Sequence, residues 1–175
     1  MSAVPDKTVD QLVVRRARTS DVPAIKDLVD VYSGKILLEK NLVTLYESVQ
    51  EFWIAEVQGE LIGCGALHVL WMDLGEVRTV AVHPKVKGRG VGYAIVDQLL
   101  AVAAELHLRR IFVLTFEVDF FGRHGFKEIE GTPVTAEVYD EMRRSYDTGV
   151  AEFLDLSYVK PNILGNTRML LTLGG

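Results

Sequence analysis

The stretch "VAVHPKVKGRGVGYAIVDQLL" at 80–100 changes from an apolar strand pattern to a helical pattern across a turn that contains three glycines. A glycine inside a helix or strand lowers its stability by about 0.5–1 kcal/mol relative to alanine. Gly88, Gly90 and Gly92 are therefore expected where the backbone conformation or a close approach requires the absence of a side chain. A strand, a glycine-rich turn and a helix N-terminus often hold phosphate, because the N–H groups of the turn converge and the helix dipole adds positive charge. We therefore interpret the stretch as a phosphate cradle rather than a purely structural turn.

Two common phosphate motifs do not fit this stretch. The dinucleotide pattern GxGxxG needs a third glycine at the position of Tyr93, and the nucleotide pattern GxxxxGK[ST] does not occur. Lys87 and Arg89 lie among the glycines, but turns are solvated and basic residues are expected there in any case. The cradle is therefore predicted from the strand–turn–helix context and not from those charges.

Composition excludes several classes of protein. The 175 residues are 49% hydrophobic and 25% charged, which is typical of one globular domain, here 11–175 after a loose polar tail at 1–10. A net charge of −5 argues against a nucleic-acid-binding surface. The single Cys64 rules out an internal disulfide, and no apolar run is long enough to span a membrane. We expect a cytoplasmic protein without nucleic-acid or membrane partners.

Apolar periodicity predicts alternating strands and helices, and hence an α/β fold. The predicted strands are 12–18, two strands within 52–71 that meet near Gln58-Gly59, 75–83, 109–116, 126–130 and 168–173. The predicted helices are 19–33, 41–52, 92–108, 118–125 and 135–147.

The stretch "VAVHPKVKGRGVGYAIV" resembles the coenzyme A pyrophosphate loop of the Gcn5-related N-acetyltransferases (GNAT superfamily), whose pattern is [QR]-x-x-G-x-[GA] after a strand. Here the pattern begins at Lys87, in place of glutamine or arginine, and ends at Gly92. The resemblance implies the GNAT fold, a central mixed, mostly antiparallel sheet with helices on both faces. It also implies acetyl-CoA as cosubstrate. We expect no metal site, because His68, His83, His107 and His124 lie far apart without metal-ligand spacing.

The resemblance assigns coenzyme-binding residues by position. They are Val80, Ala81, Val82, Lys87, Gly88, Arg89, Gly90, Val91, Gly92, Tyr93 and Phe121. Phe121 lies in "FFGRHGF" (120–126), where many members of the superfamily carry a catalytic tyrosine. Phenylalanine cannot donate a proton to the departing thiolate.

More narrowly, the chain resembles the acetyltransferase part of bacterial N-acetylglutamate synthases, above all the short actinobacterial form. The matching stretches are "KILLEKNLVTLYE", "GEVRTVAVHP", "IFVLTFE…FFGRHGF" and "SYVKPNILGNTRMLL". This implies acetylation of the α-amino group of L-glutamate or L-glutamine, the first step of arginine biosynthesis. The long synthases also carry an amino-acid-kinase domain that this sequence does not contain, so we expect no feedback control by arginine through such a domain.

Glu76 is the predicted general base. Period-two alternation would place Glu76, Arg78, Val80 and Val82 on one face of the strand that leads to the glycines. A carboxylate there can accept the proton of an attacking amine, directly or through water. A solvated glutamate at a strand end is the alternative. By resemblance, Thr115 is a candidate proton donor, although a threonine in a strand needs no such role.

The acceptor carboxylate requires fixed donors, for which arginine is the best planar partner. Arg78 is the strongest candidate because it shares the predicted face of Glu76. The other assigned acceptor residues are Leu38, Lys40, Thr79, Lys160 and Arg168. Any one basic residue is more often a solvated surface charge. Glu39 replaces the first basic residue of the long synthases, and its negative charge favours glutamine over glutamate.

Alternatives remain open at this stage. The protein could acetylate another small amine, a protein N-terminus or a lysine, or it could bind acetyl-CoA as a sensor without turnover, since fold alone does not prove catalysis. The strand at 168–173 could pair across a two-fold axis in a homodimer or fill the protein's own sheet.

Overall fold

The computed structural model describes residues 11–33, 40–156 and 166–174. The predicted tail at 1–10 lies outside these residues, as do Leu38, Glu39 and Lys160.

Seven strands and six α-helices make up the described chain. The strands are β1 (Leu12–Arg16), β2 (Phe52–Val57), β3 (Glu60–Trp71), β4 (Leu74–Val82), β5 (Arg110–Thr115), β6 (Lys127–Glu128) and β7 (Thr167–Thr172). The helices are α1 (Val22–Asp30), α2 (Leu42–Glu47), α3 (Val91–Glu105), α4 (Val118–Arg123), α5 (Ala136–Met142) and α6 (Thr148–Phe153). Short 3-10 turns occupy Thr19–Asp21, Val49–Glu51 and Pro84–Val86.

The sequence pattern predicts most of these elements but not α6. The β2–β3 turn at Gln58 and Gly59 is confirmed, with φ of 51° and 80°, values that suit a tight hairpin. Helix α6 is short, and its N-cap is Asp147, whose side chain accepts a hydrogen bond from the N–H of Val150. Six residues are too few for a clear apolar period, so its cap was the one available signal.

The sheet is mixed and mostly antiparallel, as predicted. Its strand order is β1-β2-β3-β4-β5-β7-β6. β4 and β5 run parallel, with Leu74–Glu76 beside Arg110–Phe112. The pairs β1–β2, β2–β3, β5–β7 and β6–β7 are antiparallel.

The last strand fills the protein's own sheet. β7 pairs with β5 from Thr167 to Thr172 on one side and with β6 on the other. Of the two alternatives that the sequence left open for this strand, the structure therefore shows the one in which it fills the protein's own sheet.

Contacts divide the chain into two compact units. The first unit comprises Met1–His68 and Val77–His107, and the second comprises Val69–Glu76 and Leu108–Gly175. β3 and β4 each contribute residues to both units. No helix within the described ranges is long and apolar enough to cross a membrane.

In the first unit, helix α3 lies very close to β3. A Cβ added at Gly63 or Gly65 would come within 2.8 Å of side-chain carbon atoms of Ile95 on α3. Real Cβ atoms essentially never come so close to another heavy atom, so a side chain at either position would force Ile95 to shift, and the two glycines permit this packing. α3 begins at the predicted phosphate cradle, and its contact with β3 therefore fixes the helix end that would hold the anion.

On the other side of β3, Cys64 is fully buried in a core formed with α1, α2 and β2. Its Sγ atom lies 3.5 Å from the carbonyl oxygen of Thr79. Burial raises the pKa of the Cys64 thiol to about 12.

We expect Cys64 to be unreactive in the folded protein. The thiolate is the reactive form, and a thiol with a raised pKa is neutral at every pH below about that value. An aromatic disulfide reagent at about pH 8 should label no thiol in the native protein and one thiol per chain after unfolding in guanidinium. Rapid labelling of the native protein would contradict the burial of this side chain.

The core of the second unit brings α5 and α6 together with Phe112 of β5. The Phe112 and Phe153 rings meet edge to face, with centroids 4.9 Å apart. Leu74, Met142 and Leu154 are buried in the same cluster.

Candidate functional site

The predicted phosphate cradle lies in the first unit, between β4 and α3. After β4 the chain makes the 3-10 turn Pro84–Val86, and then Gly88 and Gly90 adopt φ of 79° and 82°. Residues with a side chain rarely take this left-handed conformation, which explains the choice of glycine at both positions.

Gly90 is the N-cap residue of α3 and has no side chain to cap the helix. The first N–H groups of an α-helix have no acceptor within the helix, and they carry the positive end of the helix dipole. Since α3 has 15 residues, its N-terminus and the preceding glycine turn can together bind an anion such as a pyrophosphate.

The other assigned coenzyme residues differ in exposure. The side chains of Ala81 and Val91 are buried, so these residues can contact a ligand through their main chain alone. Lys87, Arg89 and Tyr93 are exposed, and Val80, Val82 and Gly92 are half-buried. In the second unit, Phe121 is buried and packs edge to face against Phe120 and Phe126.

Three polar or charged residues are buried within the described ranges, and all three are predicted site residues. They are Glu76, Thr79 and Thr115, exposed by 6%, 7% and 8%. Burying a carboxylate costs free energy unless it is compensated, so a buried glutamate calls for a structural or functional reason.

Glu76 lies on the face of the second unit that α5 and α6 cover. It pairs with Phe112 in the β4–β5 ladder, and side chains paired in this way share a face. The guanidinium carbon of Arg168 lies 4.9 Å from the centroid of the Phe112 ring. Burial lowers the pKa of Arg168, whereas the carboxylates of Asp155, Glu76 and Glu152 act in the opposite direction. The buried carboxylate therefore lies in the field of a cation.

Thr79 has φ of 57° in the middle of β4. This conformation is strained for a β-branched residue, at a cost of about 1–3 kcal/mol. It also interrupts the regular pleat, so alternation alone does not place Glu76 and Arg78 on the same face as Val80 and Val82. The predicted common face assumed an unbroken strand, which β4 is not. Strained residues of this kind cluster at functional sites.

Thr115 ends β5, and its hydroxyl oxygen accepts a hydrogen bond from the N–H of Glu117 at 2.8 Å. This bond gives the threonine a structural reason to be there, at the turn into α4. A hydroxyl that accepts still has its own proton to donate, so the candidate role as proton donor is chemically compatible with this contact.

Arg168 binds main-chain oxygens of its own unit. Its Nε donates to Gly131, one terminal nitrogen to Glu152 at 3.3 Å and the other to Phe153 at 2.5 Å. These bonds tie β7 to the end of α6 and are a sufficient structural reason for an arginine. The predicted role of Arg168 in acceptor binding is not needed to explain its position.

Of the remaining assigned acceptor residues, Arg78 on β4 and Lys40 just before α2 are half-buried. Leu38 and Lys160 are outside the described ranges. Tyr32 belongs to the helix that the sequence predicts at 19–33, and that pattern does not reveal the contacts of its side chain with Val82 and Lys87.

No group of three or more His, Cys, Asp or Glu side chains within 11–33, 40–156 and 166–174 could hold a metal ion. The four histidines lie far apart in the sequence as well.

The fold, with its glycine-rich turn between a central strand and a helix N-terminus, is typical of proteins that bind a phosphate-bearing ligand. Residues 23–126 match the model of the Acetyltransferase (GNAT) family, and this chain belongs to that family. Members take the acetyl group from acetyl-CoA, which is therefore the cosubstrate.

Within this family, individual known proteins are similar to this chain over most of its length. An amino-acid acetyltransferase of Mycobacterium tuberculosis is 77% identical over 164 residues, which cover 92% of this chain and 94% of that protein. A crystal structure of Rv2747 from the same organism, in complex with CoA and NLQ, has a TM-score of 0.90 and 76% identity, covering 93% of this chain and 99% of that one.

An N-acetylglutamate synthase of Neisseria gonorrhoeae, complexed with coenzyme A and N-acetyl-glutamate, has a TM-score of 0.74 at 23% identity. The match covers 94% of this chain and 35% of that chain. At this identity the likeness shows the fold alone.

Proposed function

We propose that this protein transfers the acetyl group of acetyl-CoA to the α-amino group of L-glutamate or L-glutamine, the reaction that begins arginine biosynthesis. The observation that carries the proposal is the 77% identity to an amino-acid acetyltransferase over 92% of this chain. The buried Glu76 and the glycine cradle supply the chemistry that such a reaction requires.

The cradle would hold the coenzyme by its pyrophosphate. Main-chain N–H groups around Gly88 and Gly90 and at the start of α3 would donate to the phosphate oxygens, with Lys87 and Arg89 adding positive charge. These residues act before any bond changes, because fixing the thioester beside the amine removes much of the entropic barrier.

Glu76 would accept a proton from the ammonium group of the acceptor, directly or through one water. The neutral amine then attacks the thioester carbonyl, and collapse of the tetrahedral intermediate breaks the C–S bond. The departing thiolate takes up a proton from the Thr115 hydroxyl or a water, since Phe121 has none to give, and that donor regains a proton from the positively charged nitrogen of the newly formed amide.

Arg78, Lys40 and Thr79 are proposed to bind the acceptor. A guanidinium pairs with a carboxylate through two hydrogen bonds, and a lysine supplies a point charge. Leu38 and Lys160 complete the proposal on the resemblance alone. Glu39 would repel a side-chain carboxylate, so we expect glutamine to compete well with glutamate.

The function is tested by incubating the protein with acetyl-CoA and a panel of acceptors, with thiol release as the readout and mass spectrometry of the product. The panel holds all amino acids and peptides with free N-termini or lysines. Thiol release with glutamate and glutamine, which compete for one site, would support the proposal. Thiol release with peptides alone would mean that the acceptor is a peptide and not a free amino acid. Coenzyme binding without any thiol release would favour the alternative that the protein is a sensor of acetyl-CoA.

Arg78→Ala should lower kcat/KM for the amino-acid acceptor about ten- to a hundredfold, because a lost hydrogen bond to a charged group costs about 1.5–3 kcal/mol. The apparent affinity for acetyl-CoA should change far less. Steady-state kinetics with each substrate varied would separate the two effects. The matched control is Arg143→Ala, which removes an exposed arginine just after α5. Unaltered acceptor kinetics in the Arg78 variant would remove this residue from the acceptor site.

A further inference from the structure

Tyr32 lies just after α1 in the first unit and connects that helix to the end of β4. Its ring is buried in the core, exposed by 8%. Its hydroxyl donates a hydrogen bond of 2.5 Å to the carbonyl oxygen of Val82, the last residue of β4. Its N–H in turn donates to the carbonyl of Val29 on α1, so the side chain projects from an anchored backbone.

The ring of Tyr32 also contacts the first basic residue of the cradle. The Nζ atom of Lys87 lies 5.1 Å from the ring centroid, within the range of a cation–π interaction. Lys87 is otherwise exposed. A flexible lysine side chain is therefore held against a rigid, buried ring at the entrance to the glycine turn.

These two contacts bracket the turn that precedes the glycines. Val82 and Lys87 flank His83 and the 3-10 turn Pro84–Val86. The turn has bonds of its own: the N–H of His83 donates to the carbonyl of Ile62 at 2.8 Å, and that of Val86 donates to the carbonyl of His83 at 2.9 Å. Tyr32 thus contacts the residues on both sides of the segment 83–86, which has main-chain hydrogen bonds of its own.

We propose that Tyr32 is a positioning residue for the coenzyme, which presets the end of β4 and the ammonium group of Lys87 for the pyrophosphate. The inference rests on the proposed function in one respect, that this loop is where coenzyme A binds. A loop that is ordered before the ligand arrives loses less conformational freedom on binding, and the saved entropy appears as affinity. A lysine held near its working position likewise loses less side-chain entropy.

The two contacts of Tyr32 can be removed one at a time. Tyr32→Phe keeps the ring and its contact with Lys87 but removes the hydrogen bond to Val82, and should weaken coenzyme A binding about two- to tenfold. Tyr32→Leu removes both contacts and should weaken binding about five- to fiftyfold. Lys87→Met removes the cation and leaves the ring without its partner.

The decisive measurement is a double-mutant cycle by calorimetry with coenzyme A. If the ring acts through Lys87, the double variant Tyr32→Leu/Lys87→Met should lose clearly less affinity than the product of the two single losses. Kinetics with acetyl-pantetheine, which lacks the pyrophosphate, should show no difference between Tyr32→Phe and Tyr32→Leu, because these differ in the contact with Lys87.

Tyr139→Phe in the second unit is the matched control. The Tyr139 hydroxyl also donates to a main-chain carbonyl, that of Leu154, at 2.9 Å. Its loss should lower the melting temperature about as much as Tyr32→Phe does, without a change in coenzyme affinity. A purely structural role for Tyr32 predicts that the two variants behave alike in both measurements.

Three results would overturn the inference. The first is wild-type coenzyme affinity in folded Tyr32→Phe and Tyr32→Leu proteins, and the second is a double variant whose loss of affinity equals the product of the two single losses. The third is a loss of activity in Tyr32→Leu that is as large with acetyl-pantetheine as with acetyl-CoA. Gly90→Val separates this failure from failure of the proposed site. If Gly90→Val loses coenzyme binding while the Tyr32 variants keep it, the proposed coenzyme site is supported and the positioning role of Tyr32 is wrong. If Gly90→Val also binds normally, both are wrong.

Discussion

Glu76→Gln should lower turnover about 10²–10⁴-fold and leave the affinity for coenzyme A unchanged. Glutamine has nearly the same size and shape as glutamate but cannot accept a proton from the acceptor ammonium. Because the substitution conserves side-chain volume at this buried position of β4, the variant should keep its fold. Single-turnover kinetics with saturating acceptor, together with calorimetry of coenzyme binding, would measure the two quantities separately.

Glu60→Gln is the control for this experiment, since Glu60 is an exposed residue at the start of β3 and its loss should change neither turnover nor binding. Near wild-type turnover of Glu76→Gln across about pH 6–9 would mean that another group, or solvent, removes the proton. Lost coenzyme binding would instead indicate that the buried carboxylate supports the structure of the site.

Gly90→Val should weaken coenzyme A binding by more than about a hundredfold. A β-branched residue resists the φ of 82° that Gly90 adopts, so the turn must change its path and its N–H groups no longer converge. Loss of two hydrogen bonds to a charged phosphate, each worth about 1.5–3 kcal/mol, accounts for the expected magnitude. Calorimetry with coenzyme A would measure it.

Gly59→Val provides a closely matched control. Gly59 adopts φ of 80° in the β2–β3 turn, and an added Cβ meets no atom within 4 Å at either glycine. Both variants therefore bear the same kind of backbone strain and should lose similar stability. If Gly59→Val weakens coenzyme binding as much as Gly90→Val does, the effect is general destabilisation and the cradle does not explain it.

The elements that position the cradle could be predicted because local rules determine them. Apolar alternation ends near Val82, the glycines have no role in a regular element, and a helical period follows from Val91. The β2–β3 hairpin was predictable for the same reason, since Gly59 indicates a tight turn between two apolar runs, and Gln58 and Gly59 both adopt positive φ in that turn. In each case the signal lies within a few consecutive residues.

The sequence identified Glu76 as the candidate base but did not predict its burial or its neighbours. A glutamate on the strand before the cradle could equally have been a solvated strand end. Its burial and its place beside Phe112 depend on β5, which follows 34 residues later in the chain. For Arg168 the predicted role itself was not needed. As a basic residue it suggested acceptor binding, but in the structure three of its nitrogen atoms donate hydrogen bonds to main-chain oxygens.

The sequence by itself determined the family, most of the elements and the glycine-rich turn before α3, because each follows from short-range pattern and from backbone conformations that few residues can adopt. Tertiary structure alone decided that β7 enters between β5 and β6, that Thr79 breaks the pleat of β4, and that Tyr32 reaches both Val82 and Lys87. The physical reason is sequence distance. Contacts between residues about 40 or more positions apart are selected by the packing of the whole core, and no local period records which partner a side chain will meet.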